Sequence, residues 1–200
     1  MTSRAAAGSI SGTSPSRREF LQASLTVGGA LVLGLHLPLA SGAAAKQKQE
    51  PFAPNAFIRI DSQGAVTFII PQAEMGQGIF TSIAMILAEE LDVAWERVQV
   101  EAAPPSDKLY GNPTFGIQVT GNSNSIRAFW MPLRKAGAAT RAILVEAAAR
   151  RWNVDKNACR AANGEVLHTT SGRKLAYGDL LSDASRLVPP KDPTLKAPGS

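Results

Sequence analysis

The residues whose types and spacing could do chemistry are Glu74-Met75-Gly76-Gln77-Gly78. They follow an apolar run, Val66-Thr67-Phe68-Ile69-Ile70, and precede a helical pattern that begins near Ile79. A strand, a tight glycine turn and a helix start together make an anion cradle. Glycine lets the backbone approach a ligand closely, and the free N–H groups of the first helical turn point at it. Gln77, between the two glycines, adds an amide that donates and accepts at once. The competing reading is a plain turn.

A second polar turn, Gln118-Val119-Thr120-Gly121-Asn122-Ser123-Asn124-Ser125, also leads into a predicted helix. Ser and Asn at such a place satisfy free helical N–H groups as caps. One helix end needs one cap, and four of the six residues 120–125 carry hydroxyls or amides beyond that need. Capping and ligand contact therefore both stand as readings of this segment.

Other chemistries are excluded by what is missing. No Gly-Lys-Ser/Thr follows the glycines, so there is no nucleotide-triphosphate phosphate loop. Neither His-Glu-x-x-His nor Gly-x-Ser-x-Gly occurs. Cys159 is the only cysteine, which rules out an intramolecular disulfide, a cysteine-rich zinc site or an iron–sulfur cluster within the chain. It reads as a buried structural thiol. His168 reads as a strand-surface residue. No catalytic residue and no metal ligand is assigned.

The elements that must position the two turns follow from periodicity. Residues 46–55 read as a polar linker. Phe57-Ile58-Arg59-Ile60 and Val66–Ile70 flank a glycine-containing turn and predict a β-hairpin. Thr81 to Leu91 carries Ile83, Ile86, Leu87 and Leu91 at helical spacing, with Glu89 and Glu90 outward. Trp95 to Val100 predicts a further strand. Residues 102–122 are broken by Pro104, Pro105, Gly111, Pro113, Gly116 and Gly121 and read as a long loop. A helix from about Ser123 to Arg151 follows, its buried stripe being Ile126, Trp130, Leu133, Gly137, Thr140, Leu144 and Ala147. Pro132 within it predicts a kink or a late start. The fold expected is α+β, a mixed β-sheet with packed helices. Residues 56–152 form the first part of its main domain, residues 153–188 a small β-hairpin and helix extension, and residues 189–200 a proline-rich tail.

At the N-terminus, Arg17-Arg18-Glu19-Phe20-Leu21 precedes an apolar, Gly/Ala-rich stretch and then Ala43-Ala44-Ala45. Basic residues, an apolar core and small residues at the end make a secretory signal over residues 1–45, and the paired arginines mark the twin-arginine subtype. Cleavage is expected near Ala45 or Ala43, and the expected location is the periplasm. A transmembrane anchor and an uncleaved signal are the alternatives, the anchor being disfavoured by the short, glycine-laden stretch broken by Pro38. Losing this segment removes three arginines and one glutamate, so the formal charge falls from +5 to +3. That excess favours solubility and carries no nucleic-acid footprint.

Arg59-Ile60-Asp61, Gly64, Val66 and the run Ile70-Pro71-Gln72-Ala73-Glu74-Met75-Gly76-Gln77-Gly78 resemble the molybdenum hydroxylases, the xanthine dehydrogenase and aldehyde oxidase family. Thr81, Ala88-Glu89-Glu90-Leu91, Asn112-Pro113, Phe115-Gly116, Thr120-Gly121, Ser123, Ser125-Ile126-Arg127 and Tyr177-Gly178 extend the resemblance to nearly the whole region from Phe57 to Pro190. The likeness is to molybdopterin-binding large subunits of the isoquinoline 1-oxidoreductase type. It implies a molybdopterin cytosine dinucleotide contacted by Gly76, Gln77 and Gly78 and by Thr120, Gly121, Asn122, Ser123 and Ser125. It also implies a small [2Fe–2S] partner subunit, a cytochrome c electron acceptor, and a small-molecule substrate, an aldehyde or an N-heteroaromatic compound.

Subunits of that family are several times longer. Their general base is a glutamate in a Gly-Glu-Pro-type segment near the far C-terminus, and no such segment occurs here. The expectation is therefore an N-terminal portion of such an enzyme, inactive by itself. The alternatives are a non-catalytic cofactor-binding or assembly lobe, and an exported structural domain with ordinary turns.

Overall fold

The structure is a computed structural model in which residues 52–197 are described. The signal expected over residues 1–45 lies outside the described residues, as do residues 46–51 of the expected linker and the last three of the tail.

Four strands form the first sheet: β1 (Phe52–Asn55), β2 (Ile58–Ile60), β3 (Val66–Ile70) and β4 (Val98–Ala102), in that spatial order. The first three run antiparallel, with Ile58 opposite Phe68 and Ile60 opposite Val66. β3 and β4 are parallel, with Val66 opposite Val98. Parallel neighbours need a crossover, and helix α1 (Ile79–Leu91) supplies it. All five residues of β3 are buried, as befits a strand between two neighbours and under helices. A short helix α2 (Asp107–Tyr110) interrupts the long loop, and the long helix α3 (Ser125–Trp152) follows. A second, antiparallel sheet holds β5 (Cys159–Ala162), β6 (Glu165–His168) and β7 (Lys174–Ala176), and is followed by α4 (Leu181–Ala184). The class is α+β, with a mixed first sheet.

One core serves both sheets. Phe68, Ile70, Ile83, Leu87, Leu91, Phe129, Leu133 and Leu144 cluster with Val166, Tyr177 and Leu180. Each fully buried side chain of this size stabilises by ~1.5–3 kcal/mol relative to exposure. Tyr177 also donates its hydroxyl to the Leu91 carbonyl at 2.6 Å, which ties the second sheet to the end of α1. Burial pushes its phenol pKa well up, so it stays a donor.

Several expectations are corrected. The part of the 46–55 linker that is described, residues 52–55, is strand β1. Its polar Asn55 anchors the edge by donating to Thr140 Oγ1 at 3.0 Å on α3. The strand expected from Trp95 starts later, because Trp95–Arg97 forms a 3₁₀ turn and Trp95 is half-exposed. Helix α3 runs through Pro132 without a late start, beginning at Ser125. Its stripe is shifted by one residue in the first turns. Phe129 is buried, whereas Trp130 is exposed beneath the Arg134 guanidinium, 5.6 Å from the ring centroid.

Glu90, expected outward, is 1% exposed. Gly137 permits this, since a Cβ there would meet the Glu90 Cβ at 2.8 Å. His168 is buried too, with Nδ1 2.7 Å from the Ser171 hydroxyl and the ring against Trp152. Cys159 is only partly buried, at the start of strand β5. Burial nonetheless raises its thiol pKa, against the pull of Arg173.

Candidate cofactor site

Strand β3 delivers the chain to the glycine turn through Pro71 and Gln72, both buried. The turn requires its glycines for backbone reasons. Gly76 has φ 93° and Gly78 has φ 77°, the left-handed region that L side chains avoid. The space outside is open, for a Cβ built at either position meets nothing within 4 Å.

The amides of this turn differ from the sequence expectation. Glu74 folds back over the start of α1. Its Oε1 accepts from the Gly76 and Gly78 amides at 2.8 and 3.0 Å, and its Oε2 from the Phe80 amide at 3.0 Å. The bonds from Phe80 and then Gly78 hold its carboxyl below the usual carboxylate range. Of the N–H groups expected to be free at this helix start, those of Gly78 and Phe80 are thus taken by the chain's own carboxylate. Gln77 is used locally as well: it accepts from the Met75 amide at 2.6 Å and donates to the Ala73 carbonyl at 2.8 Å.

The structure brings the two predicted segments together. Thr120 Oγ1 accepts from the Ala73 amide at 2.8 Å, and Ser125 Oγ donates to Gln72 Oε1 at 2.7 Å. Thr120 and Ser125 therefore cross-link the two loops. Gly121, Asn122 and Ser123 remain at the surface, with Asn122 and Ser123 both in the left-handed region at φ 53° and 49°. Beneath them Asn112 donates to Asn124 Oδ1 at 3.0 Å, inside the protein. Asn124 is the N-cap residue of α3, yet its side chain makes no capping bond.

The long loop is ordered by similar bonds. Gln118 accepts from the Ser106 amide at 2.9 Å, and its own amide donates to Asp107 at 2.6 Å. Sequence reasoning missed Gln72, Asn112 and the capping role of Glu74. Of these only Glu74 had a local signal, a carboxylate just ahead of a helix start, where the helix dipole favours negative charge.

A profile of the family described as "Molybdopterin cofactor-binding domain" matches residues 13–200. The chain belongs to that family. This molybdopterin cofactor-binding domain is 40% identical over 181 residues to isoquinoline 1-oxidoreductase subunit beta of Brevundimonas diminuta, covering 89% of this chain and 23% of that protein. It is 32% identical over 172 residues to the membrane-bound aldehyde dehydrogenase (pyrroloquinoline-quinone) of Gluconacetobacter polyoxogenes, covering 84% of this chain and 21% of that protein. It therefore spans under a quarter of the length of these relatives. Among solved structures, a Cu,Mo-CO dehydrogenase is similar with 19% identity over 66% of this chain and 18% of that chain, at a TM-score of 0.49.

The residues fit a bulky cofactor of this kind. Above Gly76, Gly78, Gly116 and Gly121 nothing lies within 4 Å of an added Cβ, so a large group can rest on bare backbone there. The exposed Asn122 and Ser123 side chains offer neutral donors beside it. The negative charge of Glu74 opposes an anion in principle, but it is directed into the amides of the α1 start. Among the described residues no group of three or more His, Cys, Asp or Glu is placed to hold a metal ion.

Proposed function

We propose that the domain holds the organic part of a molybdopterin cofactor, in its cytosine dinucleotide form, on the joined loops 71–78 and 120–125. The observation that carries this reading is the double cross-link between them, Ala73 to Thr120 and Gln72 to Ser125. It fixes two glycine-bearing surfaces side by side, which ordinary separate turns would not need. In this reading Gly76, Gln77 and Gly78 line one side and Gly121, Asn122 and Ser123 the other, while Thr120 and Ser125 hold the frame. The bound molybdenum group would supply the redox chemistry. The chain's own residues bind and orient it.

The larger protein is proposed to be a periplasmic oxidoreductase hydroxylating an aldehyde or an N-heteroaromatic compound, with this chain as its N-terminal portion. The relatives' names support the substrate classes, and Arg17-Arg18 supports twin-arginine export. A "subunit beta" among them supports a partner. We assign that partner as a small [2Fe–2S] subunit passing electrons to a cytochrome c.

The test is equilibrium dialysis of the purified chain against molybdopterin cofactor, with molybdenum assayed in the complete subunit. Saturable binding and stoichiometric metal are expected. A complete subunit purified without molybdenum sinks the enzyme reading, and dialysis without retention sinks the cofactor site on this chain.

A further inference from the structure

Away from the glycine loops, the α1–α3 seam carries a second constellation. Glu90 sits there with Arg134 Nε at 2.6 Å from Oε1 and Arg141 Nη1 at 3.5 Å from Oε2. Both arginines also reach past it to an extended segment near the end of the chain. Arg134 donates to the Lys196 carbonyl at 2.6 Å and Arg141 to the Thr194 carbonyl at 2.8 Å. The Lys196 amide donates to Glu90 Oε2 at 3.1 Å. The Lys196 ammonium then lies 2.7 Å from Asp92 Oδ1 and 3.1 Å from both the carbonyl and carboxylate oxygens of Glu89.

This is how an extended peptide is read in a groove: alternate main-chain groups are held by fixed side chains, and one side chain enters a charged pocket. We propose that the α1–α3 seam is a binding site for an extended, lysine-bearing peptide segment, filled in this chain by residues 194–196.

Two further observations support a separable occupant. No residue from 191 to 197 is buried, so the segment contributes nothing to the core. The bonds from Thr194 and Lys196 to the seam are ionic and polar, and such contacts release without unpacking α1 or α3. Between Leu187 and Thr194 the segment touches α3 through an exposed ion pair, Asp192 with Lys135 at 3.4 Å, beside a cleft of about 850 Å³ lined by Ile143, Val145 and Glu146. Glu90, by contrast, is held firmly. Its arginines are only 17% and 15% exposed, and Trp130 lies against Arg134. Partial burial disfavours the charge on Lys196, but Asp92 and Glu89 outweigh it and raise its pKa.

The test uses the full chain carrying Lys196→Glu, which sets a carboxylate against Asp92 and Glu89. Amide exchange at residues 194–197 is expected to rise at least about tenfold, with exchange in the middle of α1 and α3 unchanged. A labelled peptide of residues 191–197 should then bind the variant, and the same peptide with glutamate at the position of Lys196 should not. The proposal is overturned if exchange in the segment stays at its original rate or rises together with that of the helices. It is equally overturned if both peptides bind alike, or if neither binds at millimolar concentration.

Discussion

Two helix starts in this molecule carry the same kind of sequence, a glycine-bearing polar turn, and are capped differently. At the start of α1 a carboxylate six residues upstream of Phe80 folds back and accepts from three amides. At the start of α3 the N-cap residue turns its side chain inward to Asn112, and no side chain caps the helix from that position. A polar turn before a helix thus says that amides will be exposed, not who will take them. The α1 start is partly satisfied by the chain's own carboxylate. The α3 start keeps Asn122 and Ser123 outward, which makes it the better place for an outside partner.

The comparison can be broken or sharpened by measurement. The largest effect is expected from Asn112→Ala. If Asn124 served as an ordinary cap, losing Asn112 would cost little. Because the two amides are paired inside the protein, the substitution should cost about 1–3 kcal/mol in urea unfolding, the penalty for leaving a buried polar group unmade. Next comes Gly78→Ala. With φ at 77°, a side chain there should cost ~1–2 kcal/mol by the same measurement. A negligible loss would mean that the turn relaxes and that its glycines serve another need.

The smallest effect belongs to Glu74. Its carboxyl pKa is lowered in the folded chain from an ordinary value of 4.5. Its stabilisation is therefore present above that value and disappears as the pH falls through the folded pKa below it. Exchange at the Gly76, Gly78 and Phe80 amides, corrected for intrinsic pH dependence, should speed up across that acid range. Glu74→Gln should remove most of that pH dependence. The α3 start has no such carboxylate and should not follow.

Much of this arrangement was legible in advance, and the failures have identifiable causes. The first hairpin and α1 follow from local periodicity and turn residues, which act over a few positions, whereas the expected small hairpin after α3 is a three-stranded sheet. The phase of α3 was misread because Phe129 and Trp130 are adjacent and both large. Trp130, the second of them, stays half-exposed under the Arg134 guanidinium. Glu90 was placed outward because its partners lie 44 and 51 residues away, and no local pattern announces them. The two loops were each visible as polar turns, but their cross-link through Thr120 and Ser125 depends on the tertiary fold alone.

One consequence of the Tyr177 contact reaches beyond the second sheet. Helix α1 has 13 residues and so spans about 20 Å. At its far end the Leu91 carbonyl is held by the Tyr177 hydroxyl and the Asp92 carbonyl by the Gly164 amide at 2.7 Å. The glycine turn is therefore mounted on a strut braced at its opposite end. Sliding the turn along that axis would have to drag the second sheet with it. What remains to the turn is the fast motion of exposed side chains such as Met75, on the nanosecond scale.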